Sequence, residues 1–490
     1  MAFATRMLLL FAVGTFTLAE TPSGGANAVL SAMRTAAGPV WATHFVSISR
    51  LSYNGSTTTV SSESQGLPFT LRRCNGELCD GTYFDGIRLY TTNANDTALP
   101  QSADSEPYLR ALRSVASLSF LAPAFGADGG RIHDDGTATI DGKRYHALLV
   151  ADRQALPLRI YVDPQTALVR FARDLHGEDT FEYRDYRKVD GFALPFEVLH
   201  NGSVLERYDD RTPVASAFRA PRGLVPVFDG PPQPVPVDPA HITPVFPCSV
   251  AGVAVRCLLD TGNSGVSMSS ELAAQLDAPV VGAYAVRGLG GYSTQVVRAG
   301  PLKIANATFP EAYYVVLNDI HPNGYDVVIG TDVLASTSVA LDGAAHTLQF
   351  GAVAPPSTIT IPMAFENFVP VVKVELGSVE ARLLVDTGDE SNINLAYDFY
   401  SKHPSLFTVT TRRNVKGVGA SSVELLGTIP EVTVGTYTTG PQTIGTTQTL
   451  AGTAFGHLGA AFLGQFDVQL DYSAAELHLV PRGARSTQGS

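Results

Sequence analysis

The chain has 490 residues, 45% of them hydrophobic, with 34 basic against 46 acidic side chains and a formal net charge of −12. That length holds several domains with sizeable cores. An acidic balance argues against a nucleic-acid partner and against polybasic contact with a membrane surface.

Taken from the amino terminus, Arg6 precedes the apolar run Met7 to Val13, and the small residues Thr17 and Ala19 follow. This is the pattern of a cleavable secretory signal over residues 1–19, with cleavage after Ala19. The run is too short to span a bilayer comfortably, and no later stretch of about 18 apolar residues exists, so no integral membrane segment is expected after cleavage. No Cys follows the cleavage site, which argues against a lipid anchor, and the expected location is the periplasm or outside the cell. Four Cys residues fall into two local pairs, Cys74/Cys79 and Cys248/Cys257. An even count in close pairs suggests two short-range disulfides in an oxidising space. For the second pair two readings stay open: a bridge that stiffens the strand entering Asp260, or Cys257 as a small buried apolar residue, as its counterpart Leu383 suggests.

Residues 25–217 read as an amino-terminal domain of their own. A helix-like Ala26 to Ala37 comes first, and alternating segments follow at Asp141 to Val150, Leu158 to Asp163, Leu168 to Ala172, Phe181 to Tyr186 and Phe192 to Val198. Consecutive strands with short turns predict an antiparallel, curved sheet with a few helices. Residues 218–239, with Pro231-Pro232-Gln233-Pro234-Val235-Pro236, read as a stiff extended linker.

Beyond the linker, Asp-Thr-Gly occurs twice, at Asp260-Thr261-Gly262 and Asp386-Thr387-Gly388, each after an apolar run, Cys257-Leu258-Leu259 and Leu383-Leu384-Val385. The triplets lie about one small domain apart, which points to a duplicated unit over 240–355 and 356–482. The downstream features recur in order. The first copy has Gly288-Leu289-Gly290-Gly291-Tyr292, a strand near Tyr313 to Leu317, then Val328-Ile329-Gly330; the second has Gly417-Val418-Gly419, a strand near Ile429 to Val434, then Phe462-Leu463-Gly464. Both close on a hairpin, Ser338 to Phe350 and Asp467 to Leu479. The fold class expected is mainly β. Other chemistries find no support: Gly-x-Ser-x-Gly, His-Glu-x-x-His and the Walker pattern are missing. The eleven His residues are scattered without ligand-like pairing, so neither metal nor cofactor is expected.

The order apolar-apolar-Asp-Thr-Gly, Gly-containing hairpin, apolar-apolar-Gly resembles the retropepsin-like aspartic proteases, in particular bacterial aspartyl proteases with two such units in one chain. The resemblance covers residues 240–482. It implies a bilobal, mainly β protease in which one chain forms a pseudo-dimer and probes a peptide or protein substrate as a monomer. It implies Asp260 and Asp386 as a catalytic pair, with Thr261 and Thr387 bracing the loops and Gly262 and Gly388 forming them. Gly290, Gly291, Tyr292, Gly417 and Gly419 take the place of substrate-covering flaps. Two close carboxylates share a proton and titrate as a pair, and the aspartic-protease dyad is the standard example of it. Asp389-Glu390-Ser391 departs from the small residues that usually follow the triplet. Those acids either select basic substrate groups or shift the pair's working pH, or they are solvent-facing loop acids bonded to backbone amides. The amino-terminal strands, with Asp190-Gly191-Phe192-Ala193-Leu194-Pro195-Phe196, are similar to the half-barrels of bacterial lipoprotein carriers and outer-membrane sorting proteins, which implies either an apolar ligand or a scaffold role. The alternatives to an endopeptidase are a non-cleaving peptide binder using the same cleft and a lipid or lipoprotein carrier.

Overall fold

The computed structural model describes residues 24–482, apart from 41–42, 54–55, 64–68, 86, 101–105, 117, 128, 153–155, 215–219, 354–358 and 448–454. The expected signal segment lies outside the described residues. The described residues are mainly β, 53% strand against 12% helix, in keeping with the period-2 patterning. No described helix is long and apolar enough to cross a membrane. Two compact units divide the chain: the described residues of one lie within 24–92 and 100–221, those of the other within 93–99 and 222–482.

In the amino-terminal unit the helix Gly24–Ala37 presents Ala26, Leu30, Met33 and Ala37, all buried, at the spacing of one helical stripe. They join a core with Leu148, Ile160, Leu194 and Phe196, which alternate along their strands. The strands pair antiparallel in chain order from Arg131–Ile140 to Ser203–Val214, and the last of these also pairs with His44–Tyr53.

Two boundaries differ from the sequence reading. Asn93–Leu99 belongs with the carboxy-terminal unit, because Asn93 Nδ2, Asn95 Nδ2 and Thr97 Oγ1 donate to the buried Asp332 carboxylate at 2.5, 2.5 and 2.7 Å. The Pro-rich stretch is anchored rather than a free spacer. Val227–Phe228 pairs with Ala307–Phe309, and Pro234–Pro236 pairs with Thr347–Phe350. Both sit at sheet edges, where a residue without an N–H leaves no ladder bond unmade, and Val235 between the two prolines is buried.

The carboxy-terminal unit is built twice on one plan. In the first copy the strand order runs Ala307–Phe309, Leu302–Ile304, Val245–Val250, Val253–Leu259, Val327–Ile329, Val266–Ser269, Ala312–Leu317, Gly291–Ala299, Val280–Arg287. In the second the same places are taken by Tyr437–Thr438, Val432–Val434, Val369–Leu376, Val379–Asp386, Gly456–Gly459, Ile393–Ala396, Gln442–Thr447, Ala420–Ile429 and Thr411–Gly417. The closing hairpins of the copies pair with each other, Val339 opposite Leu470 and Leu341 opposite Val468, so one six-stranded sheet joins them. A single buried cluster, including Leu259, Ile329, Val385 and Leu458, runs through both.

This register corrects the sequence alignment of the copies downstream of the triplets. Val327-Val328-Ile329 lies parallel to Cys257-Leu258-Leu259, and its counterpart, parallel to Leu384-Val385-Asp386, is His457-Leu458-Gly459. Phe462-Leu463-Gly464, expected there, ends the short helix Ala460–Leu463 and begins the next turn. Likewise the partner of Ala312–Leu317 is Gln442–Thr447, each running parallel to the strand after its triplet. The expected strand over 429–434 is broken at Pro430, with Ala420–Ile429 ending before it and Val432–Val434 beginning after it.

Candidate active site

Each Asp ends a buried strand and starts a turn whose backbone amides converge on its own carboxylate. Asp260 Oδ1 accepts from Gly262 N at 2.8 Å; Asp386 Oδ1 accepts from Gly388 N at 3.0 Å and Asp389 N at 3.1 Å. The second residue of each triplet crosses to the other copy. Thr261 Oγ1 donates to Val385 O at 2.5 Å and accepts from Thr387 N at 3.0 Å; Thr387 Oγ1 donates to Leu259 O at 2.8 Å and accepts from Thr261 N at 3.1 Å. Both threonines are buried. Four reciprocal bonds between buried groups fix the two turns face to face, since leaving any one of these groups unpaired costs about 1 to 3 kcal/mol.

The third residue has to be Gly because of how closely the turns approach. A Cβ on Gly262 would lie 2.6 Å from the Asp386 carboxyl carbon, and one on Gly388 would lie 2.4 Å from that of Asp260. Each glycine therefore opens room for the opposite carboxylate. The apolar-apolar-Gly strand ends press on the same turns: a Cβ on Gly330 would meet Asn263 O at 2.2 Å, and one on Gly459 would meet Ser391 O at 2.1 Å.

The carboxyl groups of Asp260 and Asp386 each lie against the glycine of the opposite turn. Burial, then the charge and hydrogen bond of Asp386, raise Asp260 well above the ordinary carboxylate range. This is the behaviour of two neighbouring acids that cannot both ionise and titrate as a pair.

His457 is the residue the sequence reading missed. It occupies the place that Val328 holds in the first copy, and its Nδ1 lies 3.2 Å from Asp386 Oδ2 and 3.3 Å from Asp389 Oδ2. Burial opposes charging the ring, but hydrogen bonds and charge from Asp386 and Asp389 prevail and push it up to about 10. For Asp389 burial works upward, and the hydrogen bond and charge of His457 outweigh it and hold the carboxyl below its ordinary value. Asp389 Oδ1 also accepts from Ser391 N at 2.8 Å. Asp389 is thus both a turn-capping acid and the partner of an imidazolium, while Glu390 is exposed. His457, Asp386 and Asp389 lie within 4.8 Å of one another, close enough to share an ion. The ring nitrogen is at hydrogen-bond distance from both carboxylates, and with the ring protonated the three form an ion-paired cluster. Histidines scattered without ligand-like pairing are expected from the sequence, and His457 is the exception, meeting two acids.

The hairpin residues Gly290, Gly291, Tyr292, Gly417 and Gly419 come together with one another. Gly290 N donates to Val418 O at 3.0 Å, and a Cβ on Gly290 would lie 2.5 Å from Gly419 O. Tyr292 and Val418 pack on a buried cluster of Val286, Leu258 and Val328, which ties the hairpin tips to the strand entering Asp260. The remaining acids have structural partners. Asp342 and Asp471 accept backbone amides of their hairpin turns, Ala345 N and Ala474 N, at 2.9 Å each, and Asp326 accepts from Ser269 Oγ at 2.8 Å.

The cysteine alternatives also resolve. Cys74 pairs with Cys79 and Cys248 with Cys257 as disulfides. Cys248 and Cys257 flank the two-residue turn Ala251-Gly252, both residues at positive φ. The bridge clamps the hairpin whose second strand delivers Asp260.

Comparison with protein families agrees with this geometry. Residues 246–333 match the aspartyl protease family. The matched span holds Asp260-Thr261-Gly262 and Val328-Ile329-Gly330 and ends before the second copy begins. Peptide hydrolysis is the general activity that match supports. No curated protein matches the chain significantly.

Proposed function

We propose that the chain is an aspartic endopeptidase in which Asp260 and Asp386, one from each copy, activate a water molecule against a peptide bond. The observation that carries this reading is the reciprocal packing of the two turns, so close that a Cβ on either glycine would lie 2.4 to 2.6 Å from the opposite carboxyl carbon. Hydrolysis by water needs a base to take its proton and an acid to protonate the carbonyl oxygen. Asp386, hydrogen-bonded by two backbone amides and His457, supplies the carboxylate; Asp260 supplies the proton. Water adds to the carbonyl carbon as its proton passes to Asp386 and the Asp260 proton passes to the oxygen, giving a neutral tetrahedral diol. Collapse breaks the C–N bond as Asp386 gives its proton to the leaving amine nitrogen and Asp260 takes a proton from a diol hydroxyl, which leaves a carboxylic acid and an amine and restores both aspartates. The Gly-rich hairpin tips close over the substrate, and their mutual contact in the free protein parts to admit it. The two disulfides support work in an oxidising compartment, periplasmic or extracellular.

The test is cleavage of an unbiased peptide library from about pH 3 to about pH 8, a range that brackets ordinary and raised carboxylate values, by wild-type protein and by Asp260→Asn and Asp386→Asn. Cleavage that both substitutions abolish supports the reading. Cleavage that survives either one in a folded variant sinks it.

A further inference from the structure

The copies share a backbone plan but not the charges around their aspartates. Behind Asp260 stands Val328; at the matching place behind Asp386 stands His457. Three residues after Asp260 comes Asn263, and three after Asp386 comes Asp389. The second copy has therefore gained a base and an acid together, and they meet: His457 Nδ1 bridges Asp386 Oδ2 at 3.2 Å and Asp389 Oδ2 at 3.3 Å.

Resting on the endopeptidase reading, we infer that His457 is a positioning residue that holds Asp386 as the carboxylate base of the pair, with Asp389 as its counter-ion, so that Asp260 is the fixed proton donor. A cation donating a hydrogen bond to one carboxylate stabilises its ionised form and directs the shared proton to the other. Without such a group, two symmetry-related acids exchange roles freely. The side chain of His457 is 19% exposed and that of Asp386 13%, so bulk water screens their interaction weakly.

The groups facing this cluster leave the assignment intact. Across the pair stands Asp260, which burial and then the charge of Asp386 raise well above the ordinary carboxylate range. Glu424, from the strand Ala420–Ile429, is raised, chiefly by its full burial, against the opposing pull of Arg413, whose Nε donates to it at 2.5 Å, while Asn394 Nδ2 donates at 2.8 Å. Tyr472 and Tyr325 are pushed up, chiefly by burial; both stay neutral. Glu390 is exposed to solvent.

The sign of the effect is defined. A charged His457 at 3.2 Å favours the ionised carboxylate that the reaction needs. Asp389 partly offsets it. Removing the ring moves the acid limb of kcat/KM up, and removing the Asp389 charge moves it down. His457→Val is the variant of choice, because Val is what the first copy carries at that place; His457→Gln keeps a polar group of similar reach. The expected shifts are about one to two pH units upward for both His457 variants and a smaller downward shift for Asp389→Asn. A merely structural His457 would lower kcat in all variants without moving the limbs in opposite directions.

The second readout needs no activity. Ring ¹⁵N resonances of the full chain, with His457 assigned by its loss in His457→Val, should show a doubly protonated ring through about pH 8, where an ordinary His is neutral. In Asp386→Asn and Asp389→Asn the ring should titrate at lower pH. A His457 ring that is neutral at pH 7 overturns the inference, as do superimposable pH profiles for wild type and variants. Loss of wild-type cleavage on adding EDTA also overturns it, since the three side chains would then be holding a cation. If no peptide is cut, the endopeptidase reading fails, and the NMR result alone decides the charge on His457.

Discussion

The two copies in the carboxy-terminal unit have the same strand order, the same crossed threonine bonds and the same closely packed glycines. They differ in what fills three matched places. Where the first copy has the Cys248–Cys257 bridge, the second has the buried apolar pair Val374 and Leu383; Val328 is answered by His457, and Asn263 by Asp389. The lesson is that the backbone frame of this site is duplicated while its electrostatics are not. A frame held by reciprocal backbone contacts tolerates side-chain change wherever the side chain is not itself a partner across the copies.

Substitutions at matched places test how far the equivalence goes. The largest effect is expected at the carboxylates. Asp260→Asn and Asp386→Asn should each lower kcat by roughly 10³- to 10⁴-fold, and near-equal losses would show that both act in one reaction. A variant that keeps more than about a tenth of the activity would break the pairing. Next come Gly262→Ala and Gly388→Ala, whose new methyl groups would strike the opposite carboxyl carbon at 2.6 and 2.4 Å. Displacing a reacting group by about an ångström costs on the order of 10²-fold in rate. Both should lower kcat to that extent, with a stability loss of about 1 to 3 kcal/mol in denaturant titrations.

Thr261→Val and Thr387→Val keep the volume and remove the crossing hydroxyl. Each leaves a buried amide and carbonyl of the other copy without a partner, so a loss of about 1 to 3 kcal/mol is expected from either. Equal losses support a symmetric frame; a large inequality would mean that one copy carries the other.

The pH dependence of stability separates the copies where their charges differ. His457 has a raised folded-state value, so the stability it contributes is complete below its ordinary value of 6.5 and fades as pH rises through about 10. Wild type should lose Tm relative to His457→Val across that window. Asp389 has a depressed value, so its contribution is present above its ordinary 3.8 and fades as pH falls. Thermal melts at pH 3, 6 and 10 would show both trends, and parallel melting curves for wild type and variant would contradict them.

The smallest effect is expected from giving the first copy the residues of the second. Cys248→Val with Cys257→Leu removes a bridge of sequence separation 9, whose loop-closure contribution is at most about 2 to 3 kcal/mol. Apolar burial by the new side chains offsets part of it. Chemical denaturation of the double variant checks this, and a collapse of the fold would show that the hairpin entering Asp260 depends on its disulfide.

How much was legible follows from range. Asp260 and Asp386 stand out because a tripeptide and its flanking apolar run are local and recur intact. The closing hairpins and the β class are legible for the same reason, since alternation and turn residues are read within about ten positions. The second apolar-apolar-Gly was misplaced because His457-Leu458-Gly459 lacks the apolar first residue, while Phe462-Leu463-Gly464 supplies one five residues later. Only parallel pairing with Leu384-Val385-Asp386 decides between them. The segment Asn93–Leu99 was invisible as part of the carboxy-terminal unit because its tie is to Asp332, a long-range satisfaction of one buried carboxylate.

By itself the sequence determined that this chain repeats a unit, that each copy places one carboxylate at the end of a buried strand, and that the whole is mainly β. Those are consequences of short-range patterning, which side-chain alternation and turn chemistry impose wherever the chain finds itself. The tertiary structure alone decided which strand end lies against each turn, that each carboxyl lies against the opposite glycine, and that a histidine 71 residues beyond Asp386 meets both it and Asp389. Charge placement at that scale depends on strand register, and register is set by how whole strands pack into the core rather than by any one of their residues.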